Sequence, residues 1–473
     1  MAAKLFVGPR VRRLRELRGW TLEACAARLG LSISYLSQIE TNQRPVTARV
    51  LISLMRVFEV DAATFDAEDE DRLIADLREA TAEEAAGEMP SLVEIKQVAA
   101  AAPAFARQHL RLHQAYRRLD ERLKATEAAV ALDEFTAASA VLPYEEVRDF
   151  FHYRNNYIHT LDLAAERLAE TCGLRPGESP DGALIAYLAD QCGVRTVIGS
   201  GLAGVLRRFD PASGVLSLDG AQPSETRTFQ IAYELAAREL REIIDAELAE
   251  AGFRTAAAGD VARVGLGNYA AGAFLMPYAR FRQEAHDLRH DVERLQSTFH
   301  TSFEQVCHRL STLQRPTLRG LPFYFVRVDL AGNITKRHSA TRLQFARFGG
   351  GCPLWNVHEA FGQPGRILVQ VAEMPDGVRY LCVAKGIVKP SGAYTEPERR
   401  YAIGLGCEIG HADAVVYSRG MNLDGPSTPI GVTCRICERD NCPQRAFPPI
   451  DRPLRVPVNE RAIVPYVIED GRR

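Results

Sequence analysis

The sequence lacks any uninterrupted apolar run close to the roughly 18 residues that a membrane-spanning helix requires. Its first twenty residues also lack the apolar core of a signal peptide, because Pro9 and several arginines interrupt them. Net charge is small (−2), and a chain with 46% hydrophobic and 25% charged residues is not wholly disordered. We therefore expect a cytoplasmic protein without a membrane partner, whose ten cysteines are reduced thiols or metal ligands rather than disulfides.

The small net charge hides an uneven distribution along the chain. Residues 1–60 contain ten basic and four acidic side chains, a net charge of +6. Residues 61–90 contain two basic and eleven acidic side chains, a net charge of −9. A basic segment followed by an acidic one is typical of a head that binds a polyanion and is joined to the rest of the protein by a connector.

Apolar spacing predicts four helices in the first 60 residues. We expect Thr21 to cap the second helix, Gly30 to end it, and Ser32 to cap the third. A short helix, a glycine turn and a polar helix are typical of a helix-turn-helix. Residues 21–47 resemble the repressor-like XRE family, notably in the run SYLSQIE at 34–40. The resemblance implies binding to double-stranded operator DNA, and the alternative is a helical protein-interaction module.

The third helix of such a motif enters the major groove, so side chains opposite Leu36 and Ile39 are candidates for contacts with base edges and the sugar-phosphate backbone. Residues at the start of the second helix and just after the third are better placed for phosphates. We expect Glu40 to form a structural salt bridge within the module. The predicted DNA-binding residues are Thr21, Ser32, Ser34, Tyr35, Gln38, Asn42 and Arg44.

Residues 66–142 are predicted to form an acidic linker followed by amphipathic helices. Within them, Phe105, Leu112 and Leu119 recur every seven residues. Such a stripe suits pairing with a second protomer, but the polar His109 within it favours packing inside one chain.

The middle of the chain resembles the ImmA/IrrE zinc-peptidase-like domain. The resemblance is carried by residues 207–210, 229–237, 268–277 and 301–310. In that family one helix carries His-Glu-x-x-His, in which two imidazoles hold zinc and the Glu acts on the bound water. Here the same positions run from Tyr233 to Ala237 and keep only Glu234, while residues 264–268 offer no carboxylate as a third ligand. We expect no peptidase or other enzymatic activity, and a surface or hydrogen-bonding role for Glu234.

After residue 315 the pattern shifts to strands and hairpins, and two groups of residues there suggest chemistry. The first is a basic segment beside a glycine run and a tryptophan. Cations and exposed backbone amides suit a phosphorylated ligand, and an aromatic face can stack a base or pack an acyl chain. The alternative is a basic surface strand with a glycine turn. The residues of this group are Lys336, Arg337, Arg342, Arg347, Gly349, Gly350, Gly351 and Trp355.

The second group is a set of cysteines near the carboxy terminus. Cys434, Cys437 and Cys442 form a compact trio, and Cys407 lies upstream as a fourth candidate ligand. Four thiolates suit tetrahedral structural zinc. Two alternatives stay open, namely thiols without a metal, either buried or redox-active, and an iron–sulfur cluster.

The order of these segments is similar to that of the short-chain fatty-acyl-CoA regulator family of bacterial transcription factors. Its carboxy-terminal landmarks match residues 348–356, 404–408 and 434–449. The resemblance implies an acyl-CoA effector, such as propionyl-CoA or acetyl-CoA, and target genes in short-chain acyl-CoA metabolism. The residues of the first group are then candidates to bind that effector. A rival is a metallopeptidase-derived stress or toxin–antitoxin regulator without an acyl-CoA ligand.

We therefore expect an α+β multidomain chain that assembles as a homodimer or homotetramer. Its predicted domains are an all-α helix-turn-helix head (1–65), an acidic linker with amphipathic helices (66–142), a degenerate peptidase-like domain (143–315) and a mixed α+β cysteine-containing domain (316–473).

Overall fold

The computed structural model describes residues 7–41, 43–58, 60, 73–78, 80–81, 90–113, 115–116, 141–199, 202, 204–343, 345, 351–391, 394–395, 397–449 and 452–468. The chain divides into two compact units, Met1–Lys124 with Pro449–Leu454 and Ile468–Arg473, and Ala125–Pro448 with Arg455–Val467. No helix in the described ranges is long and apolar enough to cross a membrane.

The first unit is helical. Its helices are α1 (Gly8–Leu17), α2 (Leu22–Leu29), α3 (Ile33–Glu40), α4 (Ala48–Phe58) and α5 (Leu92–Ala101), and residues 73–78 and 103–113 are also helical.

The second unit begins with helices and ends with strands. Its elements are α6 (Val141–Tyr153), α7 (His159–Thr171), α8 (Asp181–Cys192), β1 (Arg195–Gly199), β2 (Arg207–Asp210), β3 (Val215–Asp219), α9 (Ser224–Glu239), α10 (Arg241–Ala251), α11 (Ala256–Leu275), α12 (Tyr278–Asp287), α13 (Val292–Phe299), α14 (Phe303–Ser311), β4 (Tyr324–Asp329), β5 (Ile334–Ser339), α15 (Asn356–Glu359), β6 (Ile367–Glu373), β7 (Arg379–Lys389), β8 (Arg399–Glu408) and β9 (Thr428–Pro429). Short strands follow at Leu454–Arg455 and Val467–Ile468.

Helices α1–α4 form the predicted helix-turn-helix, and local signals set their ends. The Thr21 hydroxyl accepts a hydrogen bond from the Ala24 N–H (O···N 3.1 Å), and the Ser32 hydroxyl accepts one from Tyr35 (3.2 Å). Between them Gly30 adopts the left-handed conformation (φ +67°) that glycine tolerates best. Leu36 and Ile39 lie in the core, as the apolar spacing predicts.

The helical segment 103–113 packs through the face opposite its seven-residue stripe. Ala106 and Leu110 are buried in a small cluster with residues of the neighbouring helices. Phe105 and Leu112, by contrast, are 70% and 66% exposed. The prediction that the stripe packs within the chain is therefore wrong for these two side chains, because the small Ala106 allows close approach on the other face. Leu119 lies outside the described residues.

The helical half of the second unit contains a small described sheet of order β1-β3-β2, in which β1 and β3 are parallel. A buried ion pair joins two of its helices. The Asp162 carboxylate on α7 accepts two hydrogen bonds from Arg309 on α14 (both N···O 2.9 Å) and one from the Tyr269 hydroxyl on α11 (2.6 Å). All three side chains are almost fully buried, so α7, α11 and α14 are fixed relative to one another.

The other half is built on a described six-stranded sheet of order β5-β4-β8-β7-β6-β9. The hairpins β4–β5 and β6–β7 form as the turn residues predict. Helices α12–α14 cover one face of the sheet through Phe281, Phe299 and Leu310, whereas Trp355 packs on the other face. The predicted α+β class with a helical head is confirmed.

Candidate functional site

The predicted DNA-reading surface is centred on α3. Ser34 is exposed and Gln38 half-buried, and both stand apart from the buried Leu36 and Ile39. The Arg44 guanidinium lies 5.3 Å from the centroid of the Tyr35 ring. Two of the predicted DNA-binding side chains therefore form a cation–π contact with each other. Thr21 and Ser32 serve as helix caps. Asn42 lies outside the described residues.

Glu40 locks α3 onto α1, as predicted for a structural salt bridge. Its carboxylate accepts hydrogen bonds from Arg15 Nε (2.7 Å) and Nη2 (2.9 Å). The hydrogen bond to Glu40 is the main reason why the pKa of Arg15 is raised. This bidentate pair fixes the orientation of the helix that carries Ser34 and Gln38.

The positions that match the peptidase motif hold an arginine–glutamate cluster. Glu234 is 7% exposed, and its two carboxylate oxygens accept hydrogen bonds from Arg207 Nη1 (2.6 Å) and Arg238 Nε (2.8 Å). The Arg207 guanidinium also lies over the Tyr233 ring, 4.1 Å from its centroid. Glu234 is thus a buried hydrogen-bonding residue, and its charge is shared between two guanidinium groups rather than directed at a water molecule.

A cavity of about 580 Å³ lies elsewhere in the second unit, between the helices α9, α11 and α14 and the strands β4, β5 and β7. Its helical side combines polar side chains, such as Gln230, with an apolar patch that includes Phe151, Phe229, Ala273 and Met276. Its sheet side is basic and includes Arg327, Lys336, Lys385, Lys389 and Arg399. The two sides together suit a ligand with one anionic end and one apolar end.

The basic side is organised around Glu304 on α14, which is 7% exposed. The Glu304 carboxylate lies 2.8 Å from Arg327 Nη1, 3.1 Å from Lys336 Nζ and 2.7 Å from Lys389 Nζ. Burial opposes its ionisation, yet Lys336, Lys389 and Arg327 hold the pKa of Glu304 well below its ordinary value of 4.5. The four side chains together carry a charge of +2 at the cavity wall. We call these four residues the cation cluster.

The structure brings only one described residue of the predicted basic group, Lys336, to this cavity. Arg342 is half-exposed and lies 3.8 Å from Glu408, and Arg337 donates a hydrogen bond to the Phe345 carbonyl (3.3 Å). Trp355 is 4% exposed and stacks on Phe345, with Gly351 beside it. The remaining residues of the group, Arg347, Gly349 and Gly350, lie outside the described residues.

Sequence reasoning missed Arg327 and Lys389. Arg327 stands directly opposite Lys336 in the β4–β5 register, and Lys389 ends β7. The sequence gives one signal for them, because Arg327 is a single basic residue inside the apolar run 323–328. A lone charge in a buried strand needs a partner, and here that partner is Glu304.

The four predicted metal ligands do not converge. Cys407 is fully buried in β8, and burial raises its pKa well above the ordinary range. Burial also raises the pKa of Cys352, and the nearby thiols of Cys434 and Cys437 add to that rise. In the part of the chain that the structure describes, no three His, Cys, Asp or Glu side chains are arranged to hold a metal ion. The zinc prediction therefore stays a prediction, and none of the ten cysteines forms a disulfide.

Comparisons with known proteins agree with this architecture. Family models match at residues 7–67 (helix-turn-helix domain), 191–311 (IrrE N-terminal-like domain) and 312–466 (short-chain fatty acyl coenzyme A regulator, C-terminal). The chain is 47% identical over 477 residues to the propionyl-CoA carboxylase regulator of Cereibacter sphaeroides, a match that covers 99% of this chain and all of that protein. The chain belongs to the short-chain fatty acyl-CoA regulator family.

Two further relatives are named as transcriptional regulators. The chain is 43% identical to RamB of Mycobacterium tuberculosis, over 99% of both chains. It is also 43% identical to PrpR of the same organism, over 98% of this chain and 96% of PrpR. A solved structure of a Mycobacterium tuberculosis transcriptional regulator, 47% identical, covers 69% of this chain and 99% of its own with a TM-score of 0.66. The predicted family and its degenerate peptidase-like domain are confirmed.

Proposed function

We propose that this chain is a sequence-specific transcriptional regulator of short-chain acyl-CoA metabolism, and that an acyl-CoA such as propionyl-CoA or acetyl-CoA modulates its binding to operator DNA. The observation that carries the proposal is the two-sided cavity with the cation cluster. A volume of about 580 Å³ is within the range of small-molecule sites. No enzymatic step is part of the proposal.

The cation cluster supports an acyl-CoA effector by its excess charge. Three cations meet one carboxylate, so two positive charges are left for the phosphate groups of coenzyme A. The side chains of Lys336 and Lys389 are 51% and 39% exposed, which lets their ammonium groups turn from Glu304 to a ligand. The apolar patch on the helical side would take the uncharged end of the same molecule.

The first unit supports DNA reading. Ser34 and Gln38 lie on a helix that Arg15 and Glu40 hold in place, and a glutamine can form two hydrogen bonds with an adenine edge in the major groove. As a homodimer or homotetramer the protein would read a pseudo-palindrome whose half-sites lie about one helical turn apart, or a multiple of it. The effector acts through linkage, so operator DNA must change acyl-CoA affinity by the same factor as acyl-CoA changes operator affinity.

Calorimetric titration of the full-length protein with propionyl-CoA, acetyl-CoA and free CoA tests the proposal. The double variant Lys336→Ala/Lys389→Ala should bind these ligands about 10- to 100-fold more weakly, because two charge-assisted contacts to phosphate are lost. Arg342→Ala is the matched control, since Arg342 is a basic side chain of the same domain outside the cavity. The affinity of this variant for the CoA ligands should stay within about twofold of wild type.

The same titration separates the rival function. A stress or toxin–antitoxin regulator derived from a metallopeptidase would bind operator DNA and ignore every CoA ester. That result with wild-type protein would refute the effector proposal and leave DNA binding in place. Equal losses of affinity in the double variant and in Arg342→Ala would refute the cavity assignment alone.

A further inference from the structure

Helix α11 contains four glycines, and glycine destabilises a helix interior relative to alanine. Two of them have a packing reason. A Cβ at Gly265 would lie 2.9 Å from the Phe151 ring, and one at Gly267 would lie 2.8 Å from the Tyr233 ring. Gly272 has no such reason, because a Cβ there would meet no heavy atom of the described residues within 4 Å.

The open space at Gly272 is the cavity described above. Gly265, Tyr269, Gly272, Ala273 and Met276 all line it, and their spacing of three or four residues places them on one face of α11. Among them Tyr269, Ala273 and Met276 are almost fully buried, so this wall is fixed in position. A side chain at position 272 would therefore project into space that a ligand needs.

We infer that Gly272 is a specificity-determining residue that sets the length of the acyl group the cavity accepts. The inference rests on the proposed acyl-CoA function. The phosphates are drawn to the cation cluster on the sheet side, which leaves the apolar face of α11 for the opposite end of the molecule. That end is the thioester and its acyl chain. Phe151 and Phe229 also line the cavity and add apolar surface to it.

Gly272→Ala, with Gly259→Ala as the matched control, tests this role. Gly259 lies in the same helix, has no described neighbour within 4 Å of its Cβ position, and does not line the cavity. Both changes should raise the melting temperature by about 1–3 °C, because alanine favours the helix. Only Gly272→Ala should lower the affinity for butyryl-CoA relative to acetyl-CoA, by about tenfold, with the affinity for free CoA unchanged. Gly272→Leu should extend the loss to propionyl-CoA.

The ratio of the affinities for butyryl-CoA and acetyl-CoA does not depend on how much of a variant is folded. A change in this ratio therefore reports on the binding site rather than on folding. If wild-type protein binds the thioesters and Gly272→Ala keeps the wild-type ratio, the inference is wrong and the proposed function stands. An equal loss for free CoA and every thioester would also overturn it, because another part of coenzyme A would then contact α11. If wild-type protein binds no CoA ester, the proposed function fails and this inference with it.

Discussion

Glu234 and Glu304 are both buried carboxylates held by cations, but their surroundings differ. Both partners of Glu234 are arginines, and they lie over the rings of Tyr233 and Phe209. Glu304 has three partners: Arg327 and Lys389 lie over the ring of Tyr401, and the two lysines are substantially exposed beside a cavity. The Glu234 cluster lies at the positions that match the peptidase motif and carries a net charge of +1, whereas the cation cluster carries +2 and lines a cavity. The comparison teaches that two buried ion clusters of similar composition can differ in their excess charge and in the space beside them.

Neutralising each carboxylate is the strongest way to break the comparison. Glu304→Gln should lower the free energy of unfolding by about 3 kcal/mol, because three cations are left close together without their counter-ion. Glu234→Gln should cost about 1–2 kcal/mol, since only two cations lose their counter-ion there. Denaturant unfolding of both full-length variants measures the difference. Equal losses of unfolding free energy in the two variants would show that the third cation and the cavity do not change what the carboxylate contributes to stability.

The pH dependence of stability sharpens the same contrast. The pKa of Glu304 is far below its ordinary value of 4.5 in the folded protein, so its contribution is present above that value and is lost as pH falls. Between about pH 5 and pH 3 the wild-type protein should lose about 2 kcal/mol more than Glu304→Gln does. Unfolding curves at several pH values check this. Parallel curves for the two proteins would contradict the depressed pKa.

A change in the first unit separates DNA reading from effector binding. Gln38→Ala should weaken specific operator binding by about 1–2 kcal/mol, roughly tenfold, because it removes a base contact. Its thermal stability and its affinity for acyl-CoA should match wild type. Fluorescence anisotropy with operator and random duplexes provides the measurement. An equal loss on random DNA would mean that Gln38 contacts the backbone rather than a base.

The parts of the fold that local chemistry determines could be predicted from the sequence. Thr21, Gly30 and Ser32 act within one or two helical turns of their own positions, and the Pro-Asp-Gly turn at 375–377 joins adjacent strands. The salt bridge of Glu40 could also be predicted, because a charged side chain next to the buried apolar residues of α3 needs an oppositely charged partner.

The cavity of the second unit could not be predicted in the same way. Glu304, Arg327, Lys336 and Lys389 come from four elements, and only the strand order and register bring them together. The same nonlocal packing buries Trp355 and Cys407, which the sequence places beside polar or glycine-rich neighbours. A prediction based on neighbours along the chain therefore names Arg342 and Trp355 as ligand-binding candidates, and it omits Arg327 and Lys389.

The position of Glu304 in the chain has an evolutionary consequence. It precedes residue 312, where the match to the regulator domain begins, whereas its three partners follow that residue. A recombination event that transferred the carboxy-terminal module alone would separate the carboxylate from its lysines and arginine. The IrrE-like helices and the module after them therefore share one ion cluster, although the family models divide them between two matches.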